Sequence, residues 1–97
     1  MKYRIKFLQD AVDDRDDIKA YLLQFDESTV QKFFALLKER IERLKTFPYS
    51  CPVYEDDTDY RVLVVREYLV FYVVDDVNKM VEVHRIFHES RNIRRWL

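Results

Sequence analysis

The sequence contains no glycine among its 97 residues, and this absence limits the folds and sites that it can form. Glycine readily adopts positive φ angles and allows the backbone to approach a ligand closely. Phosphate-binding P-loops and the dinucleotide-binding fingerprint both require it. The sequence therefore excludes nucleotide cofactors bound in either way, and other residues must form its turns.

The composition indicates one folded domain spanning residues 1–97. Hydrophobic residues make up 48% of the chain and aromatic residues 15%, which is much more than disordered chains carry. A chain of this length can enclose a single core. Its 17 basic and 18 acidic side chains give a formal net charge of -1, so net charge neither favours nor excludes a polyanionic partner.

Several features predict a cytoplasmic protein without a membrane span, a metal or a cofactor. The opening "MKYRIKF" alternates charged and apolar residues instead of leading into a signal peptide, and no apolar run approaches the roughly 20 residues of a membrane span. The single cysteine, Cys51, cannot form an intramolecular disulfide, which favours a reducing compartment. The two histidines and this cysteine lack the compact spacing of metal ligands.

Periodicity predicts a strand followed by two helices. Residues 2–7 alternate between charged and apolar side chains, as in a strand with one buried face. Apolar residues then recur at helical spacing over residues 10–25 and 28–47. Ser28 and Gln31 have the spacing of a capping box, which places the start of the second helix at Ser28.

The second half predicts three antiparallel strands at residues 60–65, 68–74 and 80–87. The turns between them lie near Arg66-Glu67 and at residues 75–79, where Asn78 and the aspartates can supply turn conformations. Because "YLVFYVV" is apolar on both faces, we expect it to be an interior strand.

These elements predict an α+β fold in which two N-terminal helices pack on one face of a mainly antiparallel four-stranded sheet, in the order β-α-α-β-β-β. A short C-terminal helix should follow, because Ile93, Trp96 and Leu97 recur at helical intervals. The other face of the sheet should be partly open.

Strict alternation predicts which side chains of the last strand lie on each face. It assigns Val81, Val83 and Phe87 to the helix side, and Glu82, His84, Ile86 and His88 to the open side. Arg85 falls on the apolar side, where an unpaired charge is costly. We therefore expect Asp13 or Asp14 of the first helix to form an ion pair with Arg85.

Three residues are candidates for RNA cleavage, which needs a base for the 2′-hydroxyl, a cation for the phosphorane and an acid for the leaving oxygen. Arg61 could meet a phosphate, His88 has a reference pKa of ~6.5, and Arg91 could clamp an anion. They can act together only if the fold brings them together. Otherwise Arg61 is an edge-strand arginine that discourages aggregation, and His88 is a hydrogen-bonded structural residue.

The C-terminal segment is a candidate binding surface, because tryptophan and arginine are enriched at interface hot spots. The candidate binding residues are Arg94, Arg95 and Trp96 in this segment, together with Arg66 in the turn between the first two strands of the second half. The alternative is a solvated tail, although an exposed tryptophan argues against it.

Four segments, "AVDDRDDIKAYL", "FFALLKERIERLKTFP", "YRVLVVREYLVFYVVDD" and "VEVHRIFHESRNI", together resemble the RelE/ParE superfamily of bacterial toxins, also named plasmid stabilisation proteins. The resemblance covers nearly the whole chain. It implies a small cytoplasmic toxin encoded beside an antitoxin that wraps it through a partly disordered segment. The complex is expected to contact operator DNA only through the antitoxin.

Two kinds of target are implied by the resemblance. RelE-like members are metal-independent endonucleases that cut messenger RNA on the ribosome, and ParE-like members poison DNA gyrase. Arg61 matches a basic position of the superfamily, but Leu69 occupies the place of an arginine that contacts the scissile phosphate in RelE-like nucleases. Loss of such a cation costs ~3 kcal/mol of transition-state stabilisation, unless Arg66 or Arg91 substitutes.

His88 and Arg91 match a His-x-x-Arg pattern that is common among ParE-like and uncharacterised members of the superfamily. The long segment that follows them is also typical of that group. We therefore expect a ParE-like gyrase poison. The alternatives are a RelE-like endonuclease and a non-toxic member that only binds its antitoxin.

Overall fold

The computed structural model describes residues 2–55 and 59–91. Within them the elements are β1 (Arg4–Phe7), α1 (Gln9–Leu22), α2 (Glu27–Arg43), β2 (Arg61–Val65), β3 (Tyr68–Asp75) and β4 (Met80–His88). Their order is the predicted one. The predicted C-terminal helix, with Arg94, Arg95 and Trp96, lies outside the described residues.

The strands form one four-stranded sheet in the order β1-β4-β3-β2. β3 is antiparallel to both of its neighbours, whereas β1 runs parallel to β4. The sheet is therefore mainly antiparallel, and β3 is an interior strand, as predicted. The parallel pair joins the first and last strands of the described part of the chain.

Both helices pack on the same face of this sheet and enclose the main core. The helices contribute Ala11, Ile18, Leu22, Val30, Phe33, Leu37 and Ile41, and the strands contribute Leu63, Val65, Tyr68, Val70, Tyr72, Val81, Val83 and Ile86. Burial of each large apolar side chain stabilises the fold by about 1.5–3 kcal/mol. The α+β architecture predicted from the sequence is confirmed.

The start of α2 differs from the prediction. Asp26, rather than Ser28, is the N-cap: its carboxylate accepts a hydrogen bond from the Thr29 backbone N–H at 2.7 Å, and the Ser28 hydroxyl donates to it at 2.8 Å. A carboxylate at this position also interacts favourably with the positive end of the helix dipole. The predicted capping box is wrong because α2 begins at Glu27 and Asp26 caps it, two residues before Ser28.

The two hairpin turns form without glycine. Arg66 and Lys79 adopt positive φ angles of 54° and 52°. In the second turn the Asp75 carboxylate accepts hydrogen bonds from the backbone N–H groups of Val77 and Asn78. Asn78 thus supports the turn, as expected, but Lys79 is the residue that takes the left-handed conformation.

A bulge in β4 changes which side chains face the helices. Phe71 pairs with Arg85 and Tyr72 pairs with Val83, so His84 is an extra residue in β4. An extra residue shifts the alternation by one position. The prediction for the end of β4 is therefore wrong: Ile86 and His88 lie on the helix side, and Phe87 lies on the opposite face with Phe71.

The helix-free face carries a second apolar cluster. Phe71 and Phe87 are 0% and 3% exposed, and Tyr54, Tyr60, Val62 and Leu69 pack against them. Glu82 and His84 lie on this face, as predicted, whereas Ile86 and His88 do not, and aromatic side chains cover part of it.

Candidate functional site

Arg61 is bound within the fold. It lies in register with Tyr72, whose ring is in the main core, so its side chain starts on the helix side of β2. The guanidinium donates to the Cys51 carbonyl at 2.7 Å and to the Tyr49 carbonyl at 3.5 Å. It also lies 4.9 Å from the centre of the Tyr49 ring, within the range of a cation–π contact. Arg61 therefore fastens the segment after α2 to the edge of the sheet.

A polar network surrounds Arg61, and we call this part of the molecule the Asp76 end. The Asp76 carboxylate accepts hydrogen bonds from the Tyr3 hydroxyl at 2.5 Å and from the Tyr49 hydroxyl. The bond from Tyr3, followed by that from Tyr49, holds the pKa of Asp76 below its usual value. The hydrogen bond to the same carboxylate raises the pKa of Tyr49 to about 12.

His88 lies at the opposite end of the sheet, which we call the His88 end. Its ring packs edge-on against Tyr68 with 5.3 Å between ring centres. The Ser90 backbone N–H donates to its Nδ1 at 3.1 Å, and the Ser90 hydroxyl lies 2.7 Å from the same nitrogen. Because Nδ1 accepts a hydrogen bond, the neutral ring carries its hydrogen on Nε2. His88 can therefore donate a hydrogen bond from Nε2.

A pocket of about 320 Å³ opens beside His88, between α1 and the end of the sheet. Asp17 and Tyr21 of α1 line one wall, and His88 and Arg91 line the other. Arg91 also lies 5.3 Å from the centre of the Phe87 ring. Tyr21, His88 and Arg91 thus offer hydrogen-bond donors to a ligand in the pocket, and Asp17 offers an acceptor, around an apolar floor.

Arg66 belongs to the His88 end as well. The Glu89 backbone N–H donates to the Glu67 carbonyl at 2.8 Å, which fixes the Arg66-Glu67 turn beside the end of β4. Of the predicted site residues, the structure therefore gathers Arg66, His88 and Arg91 at one end.

Arg61 does not join this group. It pairs with Tyr72 on one side of β3, whereas His88 pairs with Tyr68 on the other side. Four residues along a strand and two strand spacings across the sheet place them roughly 16 Å apart. The predicted catalytic set of Arg61, His88 and Arg91 is therefore not assembled.

The family resemblance implied that Leu69 takes the place of an arginine of RelE-like nucleases, and the structure places Leu69 on the helix-free face. Its side chain packs against the Phe71 and Phe87 cluster, and its backbone is in register with Phe87. This position contributes apolar packing on the helix-free face.

The predicted ion pair of Arg85 is present and involves Asp14. Arg85 Nε and Nη2 donate to the two Asp14 oxygens at 2.8 and 3.0 Å. These bonds raise the pKa of Arg85. Asp14 also accepts the Ile86 backbone N–H at 2.9 Å, which the sequence did not predict.

His84 was not among the predicted site residues, but the bulge brings it between Tyr60 and Glu82. The Tyr60 hydroxyl lies 3.2 Å from His84 Nδ1, and Nε2 lies 3.6 Å from a Glu82 oxygen. Nε2 is buried and makes no hydrogen bond within the described part of the chain. The spacing of three between Val83 and Ile86, where alternation requires two, was the available signal for this bulge. Chemically, the group can hold and transfer a proton.

A family model described as "ParE toxin of type II toxin-antitoxin system, parDE" matches residues 5–93. The chain belongs to this family. The resemblance to the RelE/ParE superfamily that the sequence motifs indicated is therefore confirmed. The comparison with curated proteins gives no match for this ParE-family chain.

Solved structures of the superfamily share its fold. The chromosomal ParDE system from P. aeruginosa is 16% identical with a TM-score of 0.72, covering 90% of this chain and 96% of that one. The RelBE2 toxin-antitoxin complex from Mycobacterium tuberculosis is 18% identical with a TM-score of 0.62, covering 91% and 99%. The intact E. coli RelBE complex is 16% identical with a TM-score of 0.65, covering 92% and 99%. At these identities the likeness establishes the fold alone.

Neither a metal site nor a membrane-spanning helix is found in the described part of this ParE-family chain. Over residues 2–55 and 59–91, no group of three or more histidine, cysteine or acidic side chains is placed to hold a metal ion. Across the same residues, no helix combines the length and apolarity that crossing a membrane requires.

Proposed function

We propose that this ParE-family protein is the toxin of a type II toxin-antitoxin module and arrests growth by poisoning DNA gyrase. The observation that carries this choice is the separation of Arg61 from His88 and Arg91. RNA cleavage needs its base, cation and acid around one phosphodiester, whereas a poison that acts by binding needs no such set. Leu69, which packs in an apolar cluster instead of supplying a cation, supports the same choice.

The His88 end is the proposed contact surface for gyrase. Arg66, His88 and Arg91 lie there together, and the segment carrying Arg94, Arg95 and Trp96 follows directly in the sequence. Arginine and tryptophan are the residues that most often anchor protein interfaces. We therefore assign target binding to these six residues.

A cognate antitoxin is the proposed regulatory partner, acting in the cytoplasm. The structures from M. tuberculosis and E. coli are toxin-antitoxin complexes, and the P. aeruginosa structure is of a ParDE system, which supports such a partner here. In this proposal operator DNA is bound only by the antitoxin.

The deciding experiment measures which process stops first after induced expression. Incorporation of labelled thymidine and labelled methionine should be followed in the same culture. We expect DNA synthesis to stop first, with filamentation and an SOS response, and deletion of residues 94–97 to weaken the arrest. Protein synthesis that stops first, with messenger RNA cut within codons, would contradict the gyrase proposal. Absence of any arrest would indicate a non-toxic protein that only binds an antitoxin.

A RelE-like endonuclease is the second candidate, because Tyr60, His84 and Glu82 form a proton-carrying group on the helix-free face. Lys6 is in register with Glu82 on the neighbouring strand and supplies a nearby cation. The nuclease proposal predicts that His84→Asn abolishes messenger RNA cleavage and that RNA affinity falls steeply with salt. The gyrase proposal predicts that His84→Asn arrests growth as the wild type does.

A further inference from the structure

The pocket beside His88 has a buried apolar floor. Ile18 of α1, Tyr68 of β3 and Ile86 of β4 line it and are 7%, 5% and 3% exposed. Its volume of about 320 Å³ lies at the small end of the range for ligand pockets, roughly 300–1,000 Å³. The Tyr21 side chain at its rim is half exposed. The pocket therefore suits a small ligand with an apolar or aromatic side chain.

The α1 wall of the pocket offers a carboxylate to a ligand. Asp14 and Asp17 both line the pocket. Asp14 is already occupied, because it accepts two hydrogen bonds from the Arg85 guanidinium and one from the Ile86 N–H. Asp17 is exposed, and among the described residues that line the pocket it is the carboxylate that remains for a ligand. An ammonium group is a suitable partner for it.

The opposite wall offers two donors that the fold holds together. The Arg91 backbone N–H donates to the His88 carbonyl at 3.0 Å, which fixes the two residues in one turn. The Arg91 guanidinium lies over the Phe87 ring, and a guanidinium in this position keeps its N–H groups for an acceptor in its own plane. Ser90 occupies Nδ1 of His88, so Nε2 carries the hydrogen that a ligand can accept. A carboxylate is a suitable partner for this wall.

We propose that this pocket binds a free α-amino acid with an apolar side chain. Such a molecule carries an ammonium and a carboxylate on one carbon at neutral pH. The ammonium meets Asp17, the carboxylate accepts hydrogen bonds from Arg91 and from Nε2 of His88, and the side chain lies on the apolar floor. An internal residue of a protein partner carries at most one of these charges, so the two opposite walls favour a free amino acid.

The bound amino acid occupies part of the surface proposed to contact gyrase. It therefore competes with gyrase and weakens the inhibition. This consequence rests on the proposed function, whereas the binding itself does not.

The first test compares three ligands that differ in their charged groups. L-Phenylalanine has both charges, N-acetyl-L-phenylalanine lacks the ammonium, and L-phenylalaninamide lacks the carboxylate. Each is titrated into the isotope-labelled wild-type protein, and the backbone amide shifts are followed by NMR.

We expect L-phenylalanine to bind with a dissociation constant on the order of 1 mM, with the largest shifts at Tyr21, Ser90 and Arg91. The other two ligands should bind about tenfold more weakly, because each leaves the charged group of one wall without a partner. The absence of saturable shifts at ~10 mM L-phenylalanine, or shifts confined to another surface, would overturn the proposal. Equal affinity for the three ligands would also overturn it, since the ring alone would then be recognised.

The second test compares two aspartates of α1. Asp17 and Asp13 are both exposed, but of the two only Asp17 lines the pocket. Asp17→Asn should weaken the binding of L-phenylalanine about tenfold and should not weaken that of N-acetyl-L-phenylalanine, which has no ammonium. Asp13→Asn removes the same charge from the same helix and should leave both affinities unchanged. Equal effects of the two substitutions, or unchanged binding in Asp17→Asn, would overturn the proposal.

Gyrase supercoiling distinguishes failure of this inference from failure of the proposed function. The purified wild type should inhibit supercoiling, and saturating L-phenylalanine should relieve the inhibition severalfold, whereas N-acetyl-L-phenylalanine at the same concentration should not. Inhibition of gyrase without binding of L-phenylalanine would overturn the amino-acid site alone. Binding of L-phenylalanine without inhibition of gyrase would overturn the proposed function and leave the site. Inhibition that saturating L-phenylalanine does not change would overturn the competition with gyrase.

Discussion

At the scale of single residues, Asp14 meets two requirements of the end of β4. β1 ends at Phe7, opposite Val83, so within the described residues the next part of β4 pairs with β3 on one side and has no strand on its outer side. Asp14 accepts the Ile86 N–H there and also pairs with Arg85. A charge on an apolar strand predicted the ion pair, but the exposed N–H could be recognised only once the length of β1 was known.

We predict that Asp14→Ala lowers the free energy of unfolding by about 2–3 kcal/mol, because it leaves a partly buried cation and a backbone donor without their acceptor. The Arg85 and Asp14 side chains are only 20% and 11% exposed. Urea denaturation measures the change. Glu39→Ala is the control, since it breaks an exposed pair with Arg43 and should cost less than about 0.5 kcal/mol. Equal losses would show that the Asp14 contacts contribute little.

Asp76 makes stability depend on pH in the acid range. Hydrogen bonds from Tyr3 and then Tyr49 lower its pKa in the folded state, while the unfolded value stays near ~3.9. The charged carboxylate therefore stabilises the fold above about pH 4, and this contribution is lost as pH falls through the lowered pKa. Wild type should be more stable than Asp76→Asn at pH 7, and the difference should disappear in acid.

Salt provides a check on the cause of this pH dependence. Hydrogen bonds dominate the shift, so the difference between wild type and Asp76→Asn should persist in ~1 M salt, where charge–charge interactions are screened. Its disappearance in salt would identify a long-range electrostatic origin instead.

At the scale of elements, the sequence predicts the order and type of the strands and helices because each has a clear apolar period. Residues 2–7, for example, alternate over the length of β1, and the apolar stripe of α2 continues to Ile41. The prediction for the faces of β4 holds only up to Val83, because no glycine or proline marks the bulge at His84 and its one signal is the spacing of three between Val83 and Ile86. The positions of His88 and Phe87 were wrong for this one reason.

Deletion of His84 tests the bulge directly. Without this residue β4 becomes a regular strand, and Val83, Arg85 and Ile86 keep their present faces. We expect the deletion variant to unfold cooperatively with a melting temperature near that of wild type. Deletion of Glu82, which is similarly exposed, should prevent folding because it forces Val81 out of the core. Equal tolerance of both deletions in thermal denaturation would contradict the assigned register.

At the scale of the whole molecule, the two ends of the sheet differ in what their charged groups do. At the Asp76 end, Arg61, Tyr49 and Asp76 bind one another and the neighbouring backbone. At the His88 end, Arg66 and Arg91 are exposed, and His88 faces a pocket. Residue type alone could not separate these roles, because the sequence pattern of an edge-strand arginine is the same whether it binds within the fold or is exposed to a partner. The separation depends on the register of β2 and β4 across β3.

This division predicts opposite effects for two arginine substitutions. Arg61→Ala removes two carbonyl contacts and a ring contact, so it should lower the free energy of unfolding by about 1–2 kcal/mol while folded molecules still arrest growth. Arg91→Gln should change stability by less than about 0.5 kcal/mol and weaken the arrest. Urea denaturation of the purified variants gives the stabilities, and inducer titration with immunoblotting of the supernatant gives toxicity per folded molecule. If Arg61→Ala were normally stable but harmless, Arg61 would return to the functional site. Full toxicity of Arg91→Gln would remove Arg91 from the target-binding surface.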